Sequence, residues 1–339
     1  MSRKQPQSRN ANDRDNMTMD IVFGPVPSRR LGHSLGINNI PPKHCSYSCV
    51  YCQVGPTRQT EILPRPFYPP AEIRRQVAQR LAAVKERGEA VEYLTFVPDG
   101  EPTLDSRLKE SIAGLKSLGL PIAVISNASL IWRPEVQEVL MDADWVSLKV
   151  DSLHESTWRH INQPHGELRL ETILEGIRTF AQHYPGTLVS ETMLVAHVND
   201  DEAAIADLGR FLAGVGFSRA YLTVPIRPPA VTSVASPDEA VLTRAHEQWV
   251  ALGLNVELLT GHEGEDFAFG GDLKRELLAL TAVHPLRQSA LDALLRKAKA
   301  DQALVEALLR AGRLKRVTYG GEIFYLRPAA HANIEHPSP

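Results

Sequence analysis

The stretch VEYLTFVPDGEPTLDSRLKESIAGLKSLGLPIAVIS, from Val91 to Ser126, contains two apolar runs separated by a longer segment with helical spacing. The apolar run from Val91 to Val97 predicts a strand. Asp105 to Leu118 carries apolar residues at helical spacing and ends before Gly119, a residue type that commonly follows a helix. Ile122 to Ser126 predicts the next strand. A strand, a helix and a strand in this order form one β-α-β unit with parallel strands.

The same alternation continues on both sides of this unit. Further strands are predicted at His33 to Ile40, Trp145 to Val150, Leu188 to Val195, Arg219 to Pro225 and Leu254 to Leu259. Helices are predicted at Pro70 to Gly88, Pro134 to Met141, Glu167 to His183, Asp200 to Val215 and Pro237 to Leu252. Six or seven such units predict an α/β fold, a partial (β/α)6-type TIM barrel with parallel strands. In such barrels the chemistry lies at the carboxyl ends of the strands.

The pattern changes after Gly261, where a glycine-rich, acidic stretch begins. Beyond it, Leu273 to Leu280, Gln288 to Lys297 and Asp301 to Arg310 predict short helices, and Gly320-Gly321 predicts a hairpin turn. This order is typical of a small winged-helix domain. We therefore expect a disordered segment over 1–20, the barrel over 21–260, a linker loop over 261–271, a winged-helix-like domain over 272–328 and a disordered tail over 329–339.

The composition places the chain among ordinary globular proteins. It has 339 residues, of which 43% are hydrophobic and 23% charged, and a formal net charge of −3. This balance excludes a strongly basic nucleic-acid coat protein and an acidic tail protein. We find neither an apolar run of about 18 residues nor a secretory signal, so we expect no membrane partner. The three cysteines lie close together, which is a poor disulfide framework and predicts reduced thiols in the cytoplasm.

The cysteines have the spacing C-x3-C-x2-C, in Cys45-Ser-Tyr-Ser-Cys49-Val-Tyr-Cys52, directly after the strand predicted to end at Ile40. Closely spaced thiolates are the usual ligands of iron–sulfur clusters. Three of them would leave one iron of a [4Fe–4S] cluster open for a substrate or cofactor. Two alternatives remain on spacing alone. His44 could complete a closed zinc site, or the cysteines could be small buried apolar side chains.

Neighbouring residues resemble the radical S-adenosylmethionine (SAM) superfamily. The cysteine loop resembles its signature, with Tyr51 at the usual aromatic position. Asp99-Gly100-Glu101-Pro102, at the end of the second predicted strand, resembles its Gly-Gly-Glu motif, with Asp99 in place of the first glycine. The resemblance extends over roughly Phe23 to Pro228. It implies a [4Fe–4S] cluster held by Cys45, Cys49 and Cys52, and SAM as a second cofactor.

The resemblance also implies a reaction. In that superfamily the open iron binds SAM, one electron cleaves the sulfonium C–S bond, and the 5′-deoxyadenosyl radical abstracts a hydrogen atom from the substrate. We therefore expect an enzyme with an external electron donor such as flavodoxin or ferredoxin. We expect Glu101 to accept from the SAM ammonium, Asp151 to hold ribose hydroxyls and Lys149 to bind the carboxylate. The other predicted cofactor-binding residues are Tyr51, Gly100, Pro102, Ser126, Asn127 and Met193. For these strand-end residues the alternative is a salt bridge or a core side chain.

The resemblance is closest to a subgroup related to the tRNA wyosine-base synthases. It is carried by Phe23 to Gly36, Ser126 to Leu130, Leu148 to Asp151 and Thr192 to Val195. It implies a nucleoside in RNA as the substrate. The wyosine synthases carry a second cluster, whereas one cluster would use all three cysteines of this chain. We therefore do not expect the wyosine reaction itself.

The C-terminal module differs in charge from the rest of the chain. Between Asp272 and Arg327 there are eleven basic and six acidic residues. This surplus predicts contact with RNA or with a protein, although the third helix offers few side chains for reading base edges. An alternative function follows: an Fe–S-dependent nucleic-acid-binding or redox-sensing protein that uses the winged-helix domain. The retained Gly100, Glu101 and Pro102 favour the enzyme, because a pure sensor needs no site for the SAM amino group.

Overall fold

The computed structural model describes residues 21–261 and 272–328. The predicted disordered ends, and the predicted linker beyond Gly261, lie outside the described residues. One sheet has its strands in chain order. They are β1 (Val22–Ser28), β2 (Gly32–Ile37), β3 (Tyr93–Phe96), β4 (Ile122–Ser126), β5 (Trp145–Lys149), β6 (Thr187–Met193), β7 (Arg219–Thr223) and β8 (Val256–Leu259).

The strands from β2 to β8 are parallel, and helices connect them. The helices are α1 (Pro70–Glu86), α2 (Leu108–Lys116), α3 (Pro134–Leu140), α4 (Glu155–Asn162), α5 (Leu170–His183), α6 (Glu202–Val215) and α7 (Glu239–Ala251). The sheet curls into a half-barrel, and within residues 21–261 the edge strands β1 and β8 do not pair with each other. The predicted α/β fold with an open barrel of parallel strands is confirmed.

Two elements differ from the prediction. β1, which pairs antiparallel with β2, was not predicted. Its Pro25 and Pro27 argue against a strand in the interior of a sheet, but an edge strand tolerates proline. Helix α4 was also missed, because the stretch between β5 and α5 reads as a loop ahead of one long helix. The predicted helix over Glu167 to His183 accordingly begins at Leu170.

The main core lies between the sheet and its helices. β4 and β5 are almost continuously apolar and buried, as expected for parallel strands covered on both faces. The helices turn apolar stripes toward them, such as Ile73 and Val77 of α1 and Ile173 and Ile177 of α5. The loops that follow the strands lie outside this core, so a site can be built on them. No helix in the described residues is long and apolar enough to span a membrane.

The C-terminal module contains α8 (Leu273–Val283), β9 (Leu286–Arg287), α9 (Gln288–Lys297), α10 (Ala303–Arg310), β10 (Lys315–Tyr319) and β11 (Glu322–Leu326). Its strands form a small antiparallel sheet in the order β10-β11-β9. The predicted helices and hairpin are present, and β9 is an additional strand. The module packs against β1 through Phe23, and Arg80 of α1 pairs with Glu276 of α8. Its assignment as a winged helix stays a prediction.

Candidate functional site

A cavity of about 350 Å³ lies at the carboxyl ends of the parallel strands. This is within the usual range of small-molecule sites. Its wall is formed by β1 and by loops that follow β2, β3, β4 and β7, together with the ends of β5 and β6. Of the residues predicted to form a site, it is lined by Cys45, Cys49, Tyr51, Cys52, Gly100, Asn127, Lys149 and Met193. The remaining four, Glu101, Pro102, Ser126 and Asp151, are buried behind this wall.

The cysteine loop lies directly on the end of β3. The backbone N–H of Glu101 donates to the carbonyl of His44 at 3.0 Å, and His44 and Gly100 form a parallel bridge. A Cβ atom on Gly100 would come within 2.0 Å of the His44 oxygen, and Gly100 has φ +156°. Glycine is therefore required here by the close approach of the two backbones. This contact fixes Cys45 beside the Gly100-Glu101 segment.

Burial disfavours free thiolates at Cys45 and Cys49. Burial and, to a smaller extent, the neighbouring cysteines raise the pKa of the Cys45 thiol well above its ordinary value and that of Cys49 to about 12. Three clustered thiolates therefore need a cationic group to compensate their charge. An iron–sulfur cluster supplies such a group, so the donor set fits the predicted cofactor.

The zinc alternative is not favoured by the geometry. Among residues 21–261 and 272–328, no group of three or more His, Cys, Asp and Glu side chains has the spacing to hold one metal ion. His44, the proposed fourth ligand, has its Nδ1 atom 2.5 Å from Oε1 of Glu61. The described residues therefore do not form the closed four-ligand arrangement that a structural zinc site needs.

Glu101 connects the ends of two neighbouring strands. It is fully buried, and its Oε1 atom accepts from the Thr103 N–H at 3.1 Å, the Thr103 hydroxyl at 2.6 Å and the Ser126 hydroxyl at 2.8 Å. Its Oε2 atom accepts from the Asn127 N–H at 2.7 Å. Burial raises the pKa of Glu101, and these donors oppose the rise. The carboxylate holds Asn127 at the cavity wall, and its predicted contact with SAM stays a prediction.

Asp151 forms a second buried network, at the end of β5. It accepts from the Tyr51 hydroxyl, from the Asn162 amide at 2.7 Å and from the Met193 N–H at 2.8 Å. Burial, together with the charge of Asp151, raises the pKa of Tyr51. The network orients two of the predicted cofactor-binding residues, Tyr51 and Met193, whose side chains reach the cavity. Asp151 itself lies behind the wall, so its predicted contact with ribose stays a prediction.

Lys149 lines the cavity as part of a charged cluster. Its Nζ atom lies 2.9 Å from Oε1 of Glu191 and 5.2 Å from the centroid of the Tyr51 ring. The second Glu191 oxygen contacts the guanidinium of Arg30. Glu191 therefore sits between two cations that line the same cavity, and this arrangement presents positive charge to a ligand.

Several cavity residues were not predicted from the sequence. They are Lys43, Glu191, Arg227 and His284, with Asn162 just behind the wall. Only Glu191 could have been identified from the sequence, because it is an acidic residue within a predicted strand. Arg227 donates to Gln53 at 2.8 Å and lies 3.1 Å from Nε2 of His284. This contact brings the C-terminal module to the cavity, which no local pattern in the sequence indicates.

Comparisons with known proteins agree with this geometry. The family model of the radical SAM superfamily matches residues 39–209. A UPF0026 protein of Methanocaldococcus jannaschii is 41% identical over 323 residues, which cover 94% of this chain and 100% of the relative. A structure of Streptococcus suis SuiB bound to precursor peptide SuiA has a TM-score of 0.53 at 13% identity, over 79% of this chain and 65% of that chain. A radical SAM methyltransferase from Sphaerobacter thermophilus has a TM-score of 0.51 at 15% identity, over 68% and 67%.

The two solved structures show that the fold is shared. The family model shows more: the chain belongs to the radical SAM superfamily. Enzymes of this superfamily use a [4Fe–4S] cluster and SAM, and these are therefore the cofactors of this chain.

Proposed function

We propose that Cys45, Cys49 and Cys52 hold the [4Fe–4S] cluster with one open iron, and that SAM binds beside it in the same cavity. The observation that carries this proposal is that the cysteine loop and the ends of β3, β4, β5 and β6 meet around one cavity. When bound, the two cofactors supply a 5′-deoxyadenosyl radical that takes a hydrogen atom from the substrate. The single electron comes from an external donor such as flavodoxin or ferredoxin in the cytoplasm.

The chain's own residues orient SAM in this proposal. Lys149 offers an ammonium to the SAM carboxylate, and Asn127, which follows the neighbouring strand β4, lines the same cavity. Gly100 lets the backbone approach closely, because a side chain there would collide with His44. Glu101 contributes by positioning Asn127, because its carboxylate accepts from the Asn127 N–H at 2.7 Å. Met193 supplies an apolar surface for the adenine or sulfonium region.

The proposed substrate is a nucleoside in RNA, other than the wyosine precursor. Arg29, Arg30 and Arg227 line the cavity, where they would bind phosphates favourably, and Arg227 also contacts His284 of the C-terminal module. The module adds a surplus of five basic residues, eleven against six, between residues 272 and 327. In this proposal the module is a winged helix that contacts the RNA backbone while the target nucleoside enters the cavity. Wyosine-type product would contradict the substrate assignment.

The first test is anaerobic cluster reconstitution followed by dithionite and SAM, with 5′-deoxyadenosine quantified. We expect product from the wild type and none from Cys49→Ala. Leu63→Ala, in the same loop and 70% exposed, is the matched control and should behave as wild type. Bound zinc without iron would contradict the proposal.

A second test concerns RNA. Adding cellular RNA should increase 5′-deoxyadenosine formation, and the double variant Lys315→Ala/Arg316→Ala should lose this increase while keeping the RNA-free rate. Both side chains are exposed on β10, so their removal should leave the fold intact. An intact cluster that binds RNA but never cleaves SAM, with or without RNA, would instead support the redox-sensing nucleic-acid binder.

A further inference from the structure

Each of the three cysteine sulfurs is contacted by an N–H donor from a different side chain. The amide of Asn127 donates to Cys45 at 3.5 Å, and the amide of Asn162 donates to Cys49 at 3.5 Å. The ammonium of Lys43 lies 3.7 Å from the sulfur of Cys52. The donors come from the loop before the cysteines, the end of β4 and the end of α4. Two are neutral and one carries a full charge.

Hydrogen bonds to the sulfurs and the local net charge are main determinants of an iron–sulfur reduction potential. One-electron reduction takes a [4Fe–4S]²⁺ cluster to [4Fe–4S]⁺, which adds one negative charge to the site. A nearby cation stabilises the reduced state and raises the potential, whereas a nearby anion lowers it. Lys43 should therefore have a larger effect than either asparagine amide.

Lys43 is held against Cys52 by three further contacts. Its Nζ atom donates to the carbonyl of Gly55 at 2.5 Å and lies 3.5 Å from Oδ1 of Asp99. Its backbone N–H donates to the carbonyl of Asp99 at 2.7 Å. The Asp99 side chain is 9% exposed, so solvent screens this pair weakly. Asp99 is also the residue that replaces the first glycine of the Gly-Gly-Glu motif. This replacement therefore lies next to the cysteine loop.

We propose that Lys43 and Asp99 form a charge pair that sets the reduction potential of the cluster, Lys43 raising it through Cys52 and Asp99 lowering it. The proposal rests on the cluster ligation proposed above. Both are positioning residues, since neither ligates the cluster. The pair predicts shifts of opposite sign when its members are neutralised separately, which loosening of the loop would not produce.

The test is an EPR-monitored redox titration of the reconstituted full chain without SAM. Lys43→Met should lower the ratio of reduced to oxidised cluster at a fixed potential about tenfold, a shift of ~59 mV for a one-electron couple. Asp99→Asn should raise that ratio. Lys43→Arg, which keeps the charge, should restore the wild-type value. Lys109→Met, which removes a half-exposed lysine on α2 that pairs with Glu138, is the matched control and should leave the potential unchanged.

Iron content and circular dichroism accompany each titration. A variant that binds less cluster can still be tested, because the midpoint potential is measured only on the molecules that contain the cluster. Unchanged midpoints in Lys43→Met and Asp99→Asn would overturn the proposal, and so would shifts of the same sign. A wild type that binds no cluster would contradict the proposed function instead, so the two failures are distinguishable.

Discussion

Glu101, after β3, accepts a hydrogen bond from the backbone N–H of Asn127, after β4, at a distance of 2.7 Å. The two residues follow adjacent parallel strands, and the contact joins the segments after those strands at the level of the cavity. A carboxylate suits this position because an ionised carboxylate only accepts hydrogen bonds, and its two oxygens accept four of them here. The first prediction tests whether an acceptor-only side chain is needed at this position.

Glu101→Gln should destabilise the protein by about 1–3 kcal/mol, the usual cost of leaving a buried polar group unsatisfied. A glutamine amide must turn its NH₂ group toward either the Thr103 N–H or the Asn127 N–H, and that backbone donor then loses its acceptor. Urea denaturation measures the loss. Glu138→Gln, at a site 70% exposed, is the control and should stay within about 0.5 kcal/mol of wild type. Equal stability of the two variants would contradict the structural role of Glu101.

The Glu101 network also shows what the sequence could predict. Alternating apolar runs predicted β3 and β4 and hence that their ends meet, because parallel strands align their carboxyl ends at one edge. The cysteine spacing predicted the loop beside them. The partners of Glu101 could not be predicted, since a motif gives residue types and not which oxygen meets which donor. Asn162 was missed for a different reason: its helix α4 is only eight residues long, and its contact with Cys49 joins residues 113 positions apart.

Tyr51 and Asp151 should show energetic coupling. Tyr51→Phe removes the hydroxyl that donates to Asp151 and accepts from Asn162 at 3.1 Å, but keeps the ring that faces Lys149. We expect a loss of roughly 1 kcal/mol in stability together with slower SAM cleavage. A double-mutant cycle with Asp151→Asn should give a coupling of about 0.5–3 kcal/mol.

Tyr184→Phe is the control for this cycle. Its hydroxyl donates to the carbonyl of Ala143 at 2.8 Å, away from the cavity, so stability should fall while cleavage per bound cluster stays constant. If Tyr51→Phe lowers stability without slowing cleavage, the hydroxyl has only a structural role.

Asp105 should make stability depend on pH. Burial raises its pKa from the ordinary value of 3.8 to about 6, against the opposing hydrogen bonds from the Arg107 N–H and from Asn39. The folded chain therefore keeps this proton to higher pH than the unfolded chain. The stabilising contribution is full below pH 3.8 and is lost as the pH rises through about 6. The whole change amounts to about 3 kcal/mol.

The measurement is the difference in unfolding free energy between wild type and Asp105→Asn at several pH values. The variant cannot titrate here, so other carboxylates cancel in the difference. We expect the wild type to lose stability relative to the variant between pH 4 and pH 6.5, with a flat difference above that range. A constant difference across this range would show that Asp105 titrates normally.

Glu191 should be among the most sensitive positions in the cavity wall. It lies between Arg30 and Lys149, and all three side chains are less than 20% exposed. Glu191→Gln would leave two mostly buried cations without their shared anion, and removing one member of a buried pair typically costs about 3–5 kcal/mol. Glu257→Gln, on β8, is the matched control: it removes an ion pair with Arg219 in which the side chains are 34% and 42% exposed. That loss should stay below about 1 kcal/mol. Losses of equal size in the two variants would mean that solvent reaches the Arg30–Glu191–Lys149 cluster, and the cavity would then lack the weakly screened positive charge assigned to SAM binding.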